Sequence, residues 1–408
     1  MLGVACGNPV GHRRGRAGLL VLLAVVLVGS GCGLGGGGSG PSPSLPGSPG
    51  AGTPPPSCAA RVLASLSESQ RIGQLFLLGL AGDRLGPATI RAIRVHHVGS
   101  VWFVATTTAG AQGVRAVADA VQAEASPEST GNVGFYVAAN QEGGEIQALQ
   151  GPGFSRIPSA LAQGALSPSA VRTDAAAWGR QLAAAGINLD FAPVMDVVPP
   201  GTDAENQPIG ALQRAFGHDP LAVGRHGVAF LRGMRSAGVA TTAKHFPGLG
   251  RVVGNTDFAA AVTDDVTTVD DPYLQSFRRA IRAGVPFVMV ALATYTRIDP
   301  SRLAVFSPIV IERMLRGDLG FRGVVVSDDL GSAVAVSGIS PAVRAIDFVL
   351  AGGDMIVSKT AGGAVAMADA LVSRDAADAA FRRRVDQAAL RVLEAKQASG
   401  LLPCAATG

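Results

Sequence analysis

Charge is scarce in this chain. Only 16% of its 408 residues are Asp, Glu, Lys or Arg, against 48% hydrophobic residues. That excludes a solvated, disordered polymer and leaves ample apolar surface for a large core. Acids are wholly missing from residues 1–31, where Arg13, Arg14 and Arg16 are the only charges. Removing those three from the formal +4 leaves 4 − 3 = +1. The basic isoelectric point is therefore mostly a property of the first segment and gives no argument for nucleic acid. Long apolar runs are missing there too. The stretch "LLVLLAVVLVG" (19–29) has 11 residues, too short to span a bilayer comfortably. No G-x-G-x-x-G follows a strand-like run in the right place, which counts against a dinucleotide-binding sheet.

What is present at the N-terminus reads as an export leader, residues 1–31. "HRRGRAG" is a basic n-region, the 11-residue run is an h-region, and "VLVGSGC" ends at Cys32. A cysteine after small residues resembles a bacterial lipoprotein box, in which Cys32 is lipidated and becomes the new N-terminus. Gly29 stands where a larger aliphatic residue is usual, and an ordinary secretory signal is the alternative. The twin arginines lack the flanking residues of a Tat signal. Residues 32–57 form a tether. From 33 to 57 they carry no charge and almost nothing but Gly, Pro and Ser, so they cannot build a core. Such a leash spans roughly 25–30 Å if coil-like and more where proline stiffens it. The expected location is outside the cell, lipid-anchored to the membrane or secreted, with no other membrane contact.

Cysteine is rare as well. Beyond Cys6 and Cys32 there are only Cys58 and Cys404, which bracket the rest of the chain. In an oxidising compartment these two are expected to pair and tie the ends together; two unrelated thiols are the alternative.

The body, residues 58–408, alternates apolar strand-like runs with Ala- and Arg-rich helical stretches. The runs are "QLFLLGL" (74), "VGSVWFVA" (98), "VGFYVAA" (133), "INLDFAPVMDV" (187), "VATTAKHF" (239), "VPFVMVALA" (285), "GVVVSDD" (323) and "DFVLAGGDMIVS" (347). Continuously apolar strands are buried on both faces, hence parallel. Eight of them alternating with helices predict a (β/α)8 TIM-type barrel, with a doubly wound sheet as runner-up. Polar residues gather at the C-terminal ends of the runs: Asn140, Gln141 and Glu142; Asp196; Lys244 and His245; Asp328 and Asp329. In a barrel those ends open on one face, where active sites sit. Any one of them alone would read as a helix cap or turn residue. Four together, with Lys and His among them, point to a site.

"NQEGG", "FAPVMDV", "RAFG" (214–217), "KHFPG" and "VVVSDDL" resemble, in order and spacing, the motifs of glycoside hydrolase family 3, and most closely its single-barrel bacterial β-N-acetylglucosaminidases that trim peptidoglycan fragments. The resemblance runs over most of residues 60–400. It implies a retaining hydrolase of terminal β-linked sugars, a monomer acting on cell-wall glycan fragments, with no metal or organic cofactor. It makes Asp328 the nucleophile and Asp329 its structural neighbour. It assigns Arg214, Lys244 and His245 to the hydroxyls of the non-reducing sugar, with Asn140 at the position of a sugar-binding Asp. Retaining hydrolysis needs one carboxylate to attack the anomeric carbon and a second group to protonate the leaving oxygen and then deprotonate water.

The chain departs from the pattern at that second group. Relatives carry Asp, Ser or Thr, then His on the loop after "KHFPG"; here the triplet is Asn255, Thr256, Asp257. Asn140 and Glu145 replace an Asp and an Arg, and Leu292 stands near a usual His. One consequence is that Asp257 takes over as acid/base, which needs its pKa raised, on a loop that glycines 248, 250 and 254 leave free to move. Another is a different sugar. A third is a barrel that has lost catalysis and serves as a cell-surface glycan-binding lipoprotein. A Rossmann-type oxidoreductase is disfavoured by the missing phosphate loop.

Overall fold

The structure, a computed structural model, describes residue 40 and residues 56–404. The leader, Cys32 and all of the tether up to residue 55 except Gly40 lie outside the described residues. The unit running from Pro55 onward is a closed parallel barrel. Its strands are β1 Phe76–Leu80, β2 Ser100–Phe103, β3 Tyr136–Ala139, β4 Leu189–Asp190, β5 Ala240–Phe246, β6 Phe287–Val290, β7 Val324–Asp329 and β8 Met355–Ser358. Each pairs with its sequence neighbours, and β8 closes on β1. This is the (β/α)8 architecture expected from the alternation of runs.

Side-chain alternation divides the core into two layers. Leu77, Trp102, Tyr136, Ala138, Phe287, Met289, Val324, Val326, Met355 and Val357 pack together in one cluster that fills the barrel. Their neighbours Phe76, Leu78, Val101, Phe103, Val288, Val325 and Ile356 join the cluster shared with the surrounding helices. Successive side chains on a strand face opposite ways, so residues two apart share a face. Asn140 lies two residues beyond Ala138, Asp328 two beyond Val326, and Lys359 two beyond Val357. The pleat therefore turns all three toward the barrel mouth.

The helices begin on readable signals. Ser167, Asp219 and Ser340 cap helices Pro168–Ala184, Pro220–Ser236 and Pro341–Ala351, each with proline at the first helical position. A hydroxyl or carboxylate there accepts an otherwise unpaired N–H, and proline has no N–H to lose. Two of the expected strands are shorter than read. "INLDFAPVMDV" is a strand only at Leu189–Asp190, because Pro193 donates no ladder hydrogen bond; Val194 makes a single further bridge to Lys244. In "DFVLAGGDMIVS" the first five residues end a helix, not a strand. Gly352, at φ 110°, terminates that helix, and β8 starts only at Met355.

The two ends of the described barrel unit meet. Cys58 and Cys404 are joined by a disulfide, their Cα atoms 6.2 Å apart. Helix Cys58–Ser65 lies against helix Ala379–Ala398, where Ala59, Val62, Leu66, Val133 and Leu393 form a small core of their own. Among the described residues no helix is long and apolar enough to cross a membrane.

Candidate active site

At the C-terminal ends of the strands a cavity of about 100 Å³ is lined by Asn140, Arg214, Lys244, His245, Asp257 and Asp328, with Trp102, Phe191, Met289 and Val357 as apolar walls. The six polar residues come from segments as far apart as 140 and 328. All six are site residues that the sequence singles out.

An ion cluster anchors one side. Glu142 is buried and accepts two hydrogen bonds from Arg214, both 2.8 Å, and one contact of 2.6 Å from Lys244 Nζ. Burial alone would raise its pKa, but Arg214 and Lys244 outweigh it and hold the carboxyl at about 2. Lys244 Nζ also donates to Asn140 Oδ1 at 2.7 Å. Burial pulls the Lys244 pKa below its ordinary value, with Glu142 opposing. An ammonium has three donors, and two are engaged here, which leaves one for a ligand. Arg214 Nη1 donates to the Pro208 carbonyl at 2.8 Å, so its guanidinium is clamped from both edges.

His245 is oriented by Asp196. Asp196 accepts the His245 backbone N–H and meets ring Nδ1 at 2.8 Å; it also accepts the Leu249 N–H at 2.8 Å. With Nδ1 donating to this carboxylate, Nε2 is the ring nitrogen left to face a ligand. Asp196, which the sequence marks only as a strand-end acid, is thus the support of His245.

Asp328, the last residue but one of β7, lines the cavity and is only partly exposed. Burial raises its pKa; the His245 charge opposes the rise and Asp257 adds to it. Asp329 faces away. Its two oxygens accept from the backbones of Gly331, Lys359 and Ser332 and from the Ser332 hydroxyl, so it caps the turn after β7.

Asp257 stands across the cavity mouth. Its carboxylate meets Lys359 Nζ at 3.2 Å, and its backbone N–H is received by Asn255 Oδ1 at 3.0 Å. Lys359 is a site residue that motif reading misses, although its position two beyond Val357 on β8 marks it as inward-facing. Burial pulls the Lys359 pKa down, but Asp257 and Asp329 outweigh it and the net shift is upward.

The loop that carries Asp257 is pinned at its start. A Cβ on Gly250 would lie 1.8 Å from the Val197 carbonyl oxygen, so this glycine permits close packing rather than freedom. Asn206 Nδ2 donates to the carbonyls of Leu249 and Val252 at 2.7 and 2.6 Å. The expectation that all three glycines loosen the loop fails at Gly250. Glu145 is exposed and does not line the cavity, and Leu292 is fully buried in the core. One further acid was missed. Asp190 ends β4 fully buried, and burial lifts its pKa to about 7; one oxygen accepts the Gln141 N–H at 3.0 Å and the other has no partner.

Residues 69–395 match the family model described as "Glycosyl hydrolase family 3 N terminal domain". The chain belongs to glycosyl hydrolase family 3. It is 33% identical over 293 residues to a beta-hexosaminidase of Stenotrophomonas maltophilia, covering 69% of this chain and 82% of that one. It is 36% identical over 293 residues to a beta-hexosaminidase of Xylella fastidiosa, with the same coverage. Among solved structures, this family 3 chain is similar to the beta-N-acetylhexosaminidase of Beutenbergia cavernae at 48% identity and TM-score 0.80, covering 81% of this chain and 99% of the other. A family 3 beta-N-acetylglucosaminidase from a Paenibacillus is similar at 31% identity and TM-score 0.74, with 84% and 64% covered.

Proposed function

We propose that this protein hydrolyses terminal, non-reducing β-linked N-acetylhexosamine, with cell-wall glycan fragments as the natural substrate class, by a retaining mechanism. The observation that carries this reading is the convergence of Asp328, His245, Lys244, Arg214 and Asn140 on one cavity at the strand ends of a family 3 barrel. Asp328 attacks the anomeric carbon as the sugar–oxygen bond breaks, giving a glycosyl ester on its carboxylate. Asp257 supplies the proton that leaves with the aglycone oxygen, and then takes a proton from the water that cleaves the ester. The free donor of Lys244, the N–H groups of Arg214 not taken by Glu142 and Pro208, and His245 Nε2 hold ring hydroxyls, contacts that strengthen as charge develops.

Two features constrain how this works. The cavity of about 100 Å³ is smaller than the ~300–1,000 Å³ of ordinary small-molecule sites. The Asp257 carboxylate is also engaged by Lys359 Nζ at 3.2 Å, across the mouth of the cavity. Both are relieved by one event, entry of the sugar with opening of that contact, after which the loop closes over the ring and desolvates Asp257. In the cell the same reading places the domain outside, on a lipid anchor at Cys32 or released after export, as a monomer.

The test is a panel of aryl β-glycosides, N-acetylglucosaminide included, against the purified protein and its Asp328→Asn variant. Turnover of the N-acetylhexosaminide should fall at least ~10³-fold in the variant, with an unchanged melting temperature. Binding of the sugar without turnover by the unmodified protein would instead support a glycan-binding barrel that has lost catalysis. Equal turnover by both proteins would remove Asp328 from its assigned role.

A further inference from the structure

On the outside of the barrel, helices Pro168–Ala184, Pro220–Ser236 and Gln275–Arg282 enclose a second cleft, of about 560 Å³. Five arginines line it: Arg172, Arg225, Arg232, Arg279 and Arg282, with no Asp or Glu among the lining residues. All five are exposed, and among the described residues none forms an ion pair. Some arginines elsewhere on the outer helices are neutralised locally, as in Arg94–Glu124, Arg115–Asp119 and Arg374–Asp378, whereas in this cleft all five are left without a carboxylate. The sequence builds this difference. "PLAVGRHGVAFLRGMRS" and "QSFRRAIR" carry three arginines each and no acid. Arg225 and Arg232 are seven apart and Arg279 and Arg282 three apart, so each pair shares one helical face.

The cluster is also shaped. Arg279 lies along Gly224, where a Cβ would come within 2.5 Å of its Cδ. A Cβ on Gly233 would lie 2.5 Å from the Arg172 carbonyl, so the helices carrying Arg172 and Arg232 pack at backbone contact. Glycine thus draws three helices together beneath five like charges. That arrangement is repulsive when empty, and an anion relieves it. The guanidinium fork matches phosphate oxygens two at a time.

We infer that this cleft binds a phosphate-bearing linear polyanion, and so holds the protein on an anionic polymer independently of the barrel site. A chain polymer fits better than a membrane surface because the charges line a concavity between helices, which a strand of phosphates can enter and a flat bilayer cannot. The inference does not rest on the proposed hydrolysis.

Binding of the protein to inorganic polyphosphate is measured as salt is raised, beside poly-glutamate and phosphatidylglycerol vesicles. Polyphosphate should bind, more tightly than poly-glutamate, and the affinity should fall steeply between about 50 and 300 mM salt, as screening of clustered charges requires. Arg225→Ser with Arg232→Ser should weaken it at least ~10-fold with the melting temperature kept, since exposed polar substitutions cost little stability. Gly224→Ala, which displaces Arg279 without changing charge, should weaken it less. No polyphosphate binding, equal binding by the double variant, equal binding of poly-glutamate, or retention on vesicles that polyphosphate does not compete away would each overturn the inference.

Discussion

At the scale of single residues, the proposed chemistry turns on two carboxylates with different surroundings. As the proposed nucleophile Asp328 must be ionised, yet burial lifts its pKa, with His245 opposing the rise and Asp257 adding to it. The acid limb of kcat/KM is therefore expected above the ordinary carboxylate value of about 4. Replacing Asp257 by Asn removes a nearby negative charge, so the limb should move to lower pH. Measured on a dinitrophenyl glycoside, whose departure needs little proton assistance, the shift reports Asp328 alone. A limb that stays put in Asp257→Asn would show that the two carboxylates do not interact. The role of Asp257 itself is read by leaving group. Asp257→Ala should slow substrates with poor leaving groups far more than activated aryl glycosides, and azide should restore part of the second step by attacking the glycosyl ester directly. Equal losses for all leaving groups, with no azide effect, would leave Asp257 as the turn residue that its Asn255 hydrogen bond also describes.

At the scale of elements, most of the site was legible because strand ends carry it. "VVVSDD" announces a buried strand ending in acids, and the pleat decides which acid faces in: Asp328 follows Val324 and Val326, while Asp329 follows Val325 and Ser327. The same count would have exposed Lys359, but one lysine after "MIVS" belongs to no motif and went unread. Glu142 and Asp196 were visible as polar strand ends, but not as partners, because pairing across 72 and 49 residues is a tertiary fact. Asp190 was hidden inside an apolar run, and its burial appears only once the barrel closes. Lys396 is the plainest case. It sits near the end of helix Ala379–Ala398, yet its ammonium is fully buried and donates to Gln74 Oε1 and the Gly99 carbonyl at 2.7 Å each. Burial lowers its pKa to about 7. Between pH 7 and about 10.4 the unfolded chain then holds a proton that the folded one lacks, so stability rises with pH across that window. Urea unfolding at pH 7 and about 9.5 should show a gain on the order of 3 kcal/mol from this group, absent in Lys396→Met. A variant with the same pH slope as the unmodified protein would mean that the amine is not desolvated as placed.

At the scale of the whole molecule, a closed barrel has a seam, and the chain has two ends to secure. The seam is β8 on β1, registered by Phe76 opposite Ile356 and Leu77 opposite Val357. Just outside it, helix Cys58–Ser65 rests on helix Ala379–Ala398, and the Ala59 N–H reaches Gln397 Oε1 at 2.9 Å. The small core there is built from few residues, so packing alone holds these ends weakly compared with the barrel. The Cys58–Cys404 bond closes a loop with a sequence separation of 346. In the chain-entropy model so long a loop contributes about 6 kcal/mol by restricting the unfolded state. Reduction, or Cys58→Ser with Cys404→Ser, should therefore lower the free energy of unfolding by about that amount while sparing turnover, because the barrel mouth is built from other segments. The loss should lie in the unfolded ensemble. The denaturant slope should then steepen as the freed chain exposes more surface, while protection of the slowest amides in β5 and β7 falls by no more than the loss in global unfolding free energy. Exchange of the barrel strands faster than that loss accounts for, or lost activity at a temperature where the reduced protein is still folded, would show instead that the bond shapes the native barrel.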